Sequence, residues 1–396
     1  MRTIFCITIA CACACAAATE QVNTIDARQL DAQGAVVTAE RVEFTADGKK
    51  ESLPRADVAE IIMGKAADPM TRPGQCVLTT LDGACLAVAN LTLSGTRVKF
   101  DSVLLGATEM SLDSVKAIFQ PDSKATAQQV SQRCQDLKVA GSQQDILVVA
   151  KSDADWVTID GVVRGIDADN VTFNWEEGDR LVGRKTVKAL WAALLGKKDP
   201  RPPAGTIVGA DGSAAAFVSL TMDDKSLAVD LPGIGKKTLA RTDVAAIRFN
   251  SDRVVNLADL KPADVKEHGL LDNKYPHRVN RSVSGKEIRL DGQAYSTGLG
   301  LHSFTELTYP LGGAYSTFVT VAGIDDSVRP AGNATITFLG DGKELDKPLA
   351  VTGKDKAVTV RLKIAGVKQL TIRVDFGSDN LDVSDHVDLA SARLIK

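Results

Sequence analysis

All four histidines (His268, His277, His302, His386) and all four tyrosines (Tyr275, Tyr295, Tyr309, Tyr315) of this 396-residue chain fall after residue 250. Its three tryptophans, Trp156, Trp175 and Trp191, fall before it. The tryptophans could form a stacking surface for a sugar or a peptide, or fill a core, with Trp191 taking the place that Phe119 holds in a related phrase. A glycosidase needs two carboxylates set apart on a rigid cleft, and 50 acidic residues supply such pairs anywhere, so their presence is no signal. G-x-S-x-G, H-E-x-x-H and a complete phosphate loop are absent. Gly233-Ile-Gly235-Lys-Lys237 comes nearest and lacks the rest of the loop. The expectation is therefore a protein that is not an enzyme. Cys76, Cys85 and Cys134 form no C-x-x-C and have no neighbouring histidine, which argues against a zinc site or a redox pair. One disulfide with a free thiol, or three small buried hydrophobes, both fit them.

The first residues bear on where such chemistry would operate. Arg2, the apolar run from Ile4 to Ala18 and the polar Thr19-Glu20-Gln21 have the layout of a secretory leader. Cleavage is expected between Ala16 and Ala18, which removes Cys6, Cys11, Cys13 and Cys15. Thr8-Ile9 before Ala10-Cys11 is not a leucine-led lipidation box. The run is short for a membrane span, and no later segment approaches one. The expected location is secreted, periplasmic or at the cell surface. Apolar content of 44% supports real cores, and a net charge of −3 without a basic stripe argues against nucleic acid as a partner.

The elements that carry these residues are mostly strands. Residues 20–250 repeat a phrase four times: Arg55-Ala-Asp-Val-Ala-Glu-Ile-Ile62, Leu112-Asp-Ser-Val-Lys-Ala-Ile-Phe119, Lys185-Thr-Val-Lys-Ala-Leu-Trp191 and Arg241-Thr-Asp-Val-Ala-Ala-Ile-Arg-Phe249. Alternating segments bounded by Gly, Asp and Asn precede each one, as antiparallel sheet requires. Four small β units follow, over 20–66, 74–120, 121–199 and 204–252. Each must curl on itself to bury a face, as a small barrel or roll. They resemble tandem SH3-like or Sm-like modules of secreted bacterial proteins. Residues 121–136 read as a surface helix, and Pro200-Arg-Pro-Pro203 as a hinge.

After residue 250 the period-2 alternation sharpens. Val358, Val360, Leu362 and Ile364 are spaced by two, as are Leu370, Ile372, Val374 and Phe376. Strands also fit 318–321, 335–339 and 389–395, with hairpin turns at Asp341-Gly342 and around Gly366. Two such faces packed together make a β-sandwich. Five stretches occur in order: Tyr295-Ser-Thr-Gly-Leu-Gly-Leu-His302, Leu307-Thr-Tyr-Pro-Leu-Gly-Gly-Ala-Tyr315, Phe318-Val-Thr-Val-Ala-Gly-Ile-Asp-Asp326, Phe338-Leu-Gly-Asp-Gly-Lys343 and Asp385-His-Val-Asp-Leu-Ala-Ser-Ala-Arg-Leu394. On these, residues 286–396 resemble the NPCBM family, carbohydrate-binding modules first noticed in alpha-galactosidases and related glycoside hydrolases. The whole chain then reads as all-β, with the last domain spanning 253–396.

The resemblance implies a galactose-binding-like jelly roll and a noncatalytic sugar-binding role. Sugars are held by carboxylates and amides matched to their hydroxyls, with an aromatic ring under the less polar face. His302, Asp325, Asp326, His386 and Asp388 lie in the shared motifs and are the expected ligand-binding residues, with Tyr309 as a platform and Tyr315 as core. A structural calcium suits such oxygen donors; equally, these residues could tie loops together with no ligand. Leu389 stands where the family commonly has tryptophan. The expected partner is a polysaccharide or glycoconjugate. The alternative is an extracellular or periplasmic scaffold that binds envelope or extracellular proteins and no sugar.

Overall fold

The computed structural model describes residues 20–137, 139, 143–176, 178–193, 198–270 and 275–396; the expected leader lies outside them. The chain divides into two compact units. One holds residues 20–23 and 29–250, the other 24–28 and 251–396. Both are built from antiparallel strands, with one α-helix among the described residues.

In the first unit each repeated phrase becomes a 3₁₀ turn followed by a strand: Arg55–Asp57 and Val58–Ile62, Leu112–Ser114 and Val115–Phe119, Arg184–Thr186 and Val187–Trp191, Arg241–Asp243 and Val244–Phe249. The polar first three residues take the turn, and the valine that follows is buried in every copy. That last strand pairs with the first strand of its own repeat, so each repeat curls as its alternation requires.

The repeats also join one another. Ile247 lies opposite Ile61, and Met222 opposite Val37, which joins repeat four to repeat one. Ile118 lies opposite Leu190, and Gly165 opposite Ser94, which joins repeat two to repeat three. The Ala214–Cys85 pairing connects the two halves. Phe44, Phe100, Phe173 and Phe217, one from each repeat, lie in one continuous core.

The arginine that opens a 3₁₀ turn reaches across these seams. Arg241 donates to the Ala35 and Asp223 carbonyls and pairs with the carboxylate of Glu20, which also accepts from the Ala35 amide. Arg184 donates to the carbonyls of Leu91 and Asp167. The expected hinge is instead pinned: Arg201 bonds Asp199 and Asp230, and the Asp199 amide bonds Asp82.

The expected helix spans Ala127–Asp136, with Thr126 and Gln129 forming a reciprocal cap. It packs Val130 and Cys134 near Phe119 and Trp191. None of the tryptophans offers a bare face. Trp191 meets Phe119 edge-on at 5.1 Å, Arg133 covers Trp156 at 4.3 Å and Arg180 covers Trp175 at 4.7 Å. Cys76, Cys85 and Cys134 are free thiols packed among apolar side chains, and burial pushes Cys76 up to about 12.

The second unit is a sandwich. One sheet runs Arg278–Val279, Gly298–Leu301, Val387–Ile395, Thr317–Ile324, Val358–Lys363; the other runs Asp264–Glu267, Thr305–Pro310, Gln369–Phe376, Asn333–Gly340, Lys343–Glu344. Leu301, Phe318, Leu362 and Leu394 from the first face Leu307, Ile336, Leu370 and Ile372 from the second. Asp341 and Gly342 both take positive φ in a tight hairpin, as expected. The turn around Gly366 is no hairpin: the strands on its two sides belong to different sheets, so it is a corner of the sandwich. Val358 is 43% exposed, because it starts a strand on the sheet edge.

Candidate ligand-binding site

The site is built on Val387–Ile395, the central strand of the first sheet, and its neighbours. Val387 and Leu389 point into the core, so alternation sends His386 and Asp388 to the opposite face. Leu301 and Ile324 are likewise core, which turns His302 and Asp325 the same way. Four of the six residues expected from sequence thus share one face. Asp388 has glycine on either side, Gly300 and Gly323. A Cβ at Gly300 would lie 2.4 Å from the Arg281 carbonyl oxygen, so that position has no room for one.

Most of this cluster lies beneath the surface. The Asp388 side chain is wholly buried, and no N–H or O–H group reaches it. Burial raises its affinity for a proton, and the neighbouring Asp325 raises it further. Protonated, it donates to Asp325. Burial opposes ionisation of Asp325 too, but hydrogen bonds from Asp388, from the Ser327 hydroxyl and amide and from the Arg289 amide outweigh it, holding that carboxyl below its ordinary range. The two aspartates therefore share one charge, and a hairpin of Ile288–Leu290 and Gln293–Tyr295 is bonded to them through Arg289.

Asp326 faces elsewhere. Its carboxylate accepts from the amides of Asp291 (3.0 Å) and Gly292 (2.7 Å), which fixes the tip of that hairpin. Asp325, Asp326 and Asp388 are thus engaged within the fold rather than converging on an ion. Among the described residues no group of three or more His, Cys, Asp or Glu is placed to hold a metal. Tyr309 corrects the sequence reading: it is 1% exposed in the sandwich core, with no face left for a ligand. Leu389 is core as well, so the residue at this position takes no aromatic ring away from the site.

The aromatic surface is supplied by Tyr275, which precedes Pro276 and lies outside the five shared stretches. Its ring stacks on His302 at 4.0 Å and is 38% exposed. His302 in turn meets His386 at 5.5 Å. Nδ1 of His302 donates to the Ser303 carbonyl (2.8 Å), leaving Nε2 with the free lone pair. Nδ1 of the half-buried His386 has no partner. Burial lowers the proton affinity of both rings, and each is neutral at pH 7.

Nearby loops are held by carboxyl groups. Asp382 accepts from the Leu270 amide (2.8 Å), and Asp385 accepts from the Ser303 hydroxyl (2.5 Å) and the Asn333 amide (2.8 Å). His268 stacks on Phe304 at 4.5 Å. The exposed Tyr275 ring, with the part-exposed Asp382 in the same cluster of loops, suits a neutral, hydroxyl-rich ligand with one apolar face.

Residues 253–395 match the NPCBM/NEW2 domain family. A Renibacterium salmoninarum protein named "Putative endo-alpha-N-acetylgalactosaminidase" is 32% identical over 96 residues, 24% of this chain and 6% of that protein. The chain therefore spans about 6% of the length of the curated relative it matches. Among solved structures, a Clostridium perfringens CBM51 module from a GH95 protein, in complex with methyl-galactose, is 25% identical; the match covers 36% of this chain and 99% of that one, with a TM-score of 0.33. The tandem CBM51 modules of a Streptococcus pneumoniae family 98 glycoside hydrolase are 13% identical over 92% of this chain and 88% of that one, with a TM-score of 0.31.

Proposed function

We propose, from the premise that residues 253–395 form an NPCBM/NEW2 domain, that this chain is a secreted, noncatalytic glycan-binding protein. The observation that carries the reading is the exposed Tyr275 ring braced from below by His302 and His386. It offers a flat surface for the C–H face of a sugar. Secretion rests on the leader-like first residues. The noncatalytic role rests on the family and on the missing catalytic motifs.

The test is retention of the full chain on immobilised glycans. Galactose and N-acetylgalactosamine, the sugars carried in the names of the similar proteins, are the first probes. Tyr275→Ala is expected to weaken retention about tenfold, the loss of roughly 1.4 kcal/mol of contact. Tyr309→Phe, deep in the core, is expected to leave it unchanged. Equal retention of Tyr275→Ala and the unaltered chain would move the site elsewhere. No retention on any glycan by the folded chain would favour a protein-binding scaffold.

A further inference from the structure

The stack of Tyr275, His302 and His386 brings two imidazoles together at the foot of the only exposed ring in the cluster. His302 is buried, stacked on the Tyr275 ring and in edge contact with the His386 ring. Its Nδ1–H is committed to Ser303, so a second proton would go to Nε2 of a buried ring. His386 is held by its own backbone: its carbonyl accepts from the Asp325 amide (2.9 Å), and its amide donates to Ser384. The His302 ring cannot reach water without moving Tyr275 or the segment that carries it, while His386 is half-buried beside it.

We propose that this stack releases ligand in acid: it props Tyr275 in place while both imidazoles are neutral and drops it when they take up protons. The idea rests on the glycan-binding reading and adds regulation of the same site. Two imidazolium ions would face each other at 5.5 Å with little water between them.

The other charged and titratable groups around the stack are few. Asp382 faces His302 and Asp325 faces His386, and both favour the charged rings. Asp385, tied to Ser303 and Asn333, has its proton affinity raised by burial and by Asp379 and Asp382, so it offers less charge to balance them. Asp388 is the proton donor to Asp325. His268 stacks on Phe304, two residues along from His302. Burial of the two rings outweighs the carboxylates, so both stay neutral until the solution is acidic. A histidine whose folded proton affinity is lowered supports the folded arrangement fully above its unfolded value of about 6.5. That support is lost as the pH falls through the folded value.

The test uses the full chain with ¹³C-labelled histidine, whose four ring signals are assigned by single His→Gln substitutions. Ring titration is followed alongside retention on galactose- and N-acetylgalactosamine-bearing beads from about pH 7.5 to about pH 4.5. The expected result is that the His302 and His386 signals titrate below about 6.5 and that retention falls at least about tenfold over the same midpoint. Retention that persists after both rings are protonated, or that is lost at a different midpoint, overturns the proposal and leaves the sugar site standing. Absence of retention at every pH overturns the glycan-binding reading itself.

Discussion

Asp388 and Asp325 share one charge in a pocket made by two glycines and a hairpin, and stability should record it. The folded chain keeps the Asp388 proton, whereas the unfolded chain sheds it above about pH 4. Stability therefore declines as pH rises past that point, by at most about 1.4 kcal/mol per unit. Asp388→Asn keeps a donor to Asp325 and does not titrate. Urea unfolding should show the variant gaining on the unaltered chain from pH 5 to pH 8; a constant gap would mean Asp388 is ionised in the fold. The motifs shared with the family led to His302, His386, Asp325 and Asp388, and strand alternation turns all four to one face. They could not say that three of these lie under the surface, since other segments cover them: Tyr275 stacks on His302, and the hairpin is bonded to Asp325. Tyr309 was misassigned although its alternation with Leu307 puts it on the core face, and Tyr275 carried no periodic signal.

At the level of elements, the recurring 3₁₀ turns act as fasteners. Arg241 and Glu20 form a largely buried pair across the seam between repeats four and one. Removing one partner of such a pair strands the other charge, so Arg241→Ala should cost about 3–5 kcal/mol. Arg55 opens the equivalent turn in repeat one, where it lies over the Phe249 ring at 5.5 Å and donates to the Ala39 carbonyl. Among the described residues no carboxylate forms an ion pair with it, and Arg55→Ala should cost only about 1 kcal/mol. Chemical unfolding of the two variants measures the difference; equal losses would deny the Glu20 pairing its role. The repeated phrase revealed the turns and strands because composition and alternation are local. The partner across each seam was not legible, because pairing between repeats depends on chain segments far apart. The corner at Gly366 was taken for a hairpin because a glycine between two alternating runs looks the same whether the next strand joins the same sheet or the opposite one.

Across the whole molecule, two cores of separate composition imply two cooperative events. Calorimetry should resolve two transitions, and Ile372→Ala, a deletion in the sandwich core, should lower one by about 2–5 kcal/mol while sparing the other. A single transition displaced as a unit would contradict this. All-β architecture and the sandwich were legible from composition and period, whereas fusion of the four repeats into one body was not. That fusion has a consequence for biogenesis. Pairing runs like nested brackets, the second repeat closing on the third and the first on the fourth. The strand Val58–Ile62 emerges early and pairs with Glu20–Thr24 on one side, but its other side has no mate until Val244–Phe249 follows. During that wait it is an open edge, able to recruit a strand from another chain. The inner bracket can close as soon as it is made, while the outer one sets the pace, so a chain cut short after repeat three would keep that edge for good and should aggregate.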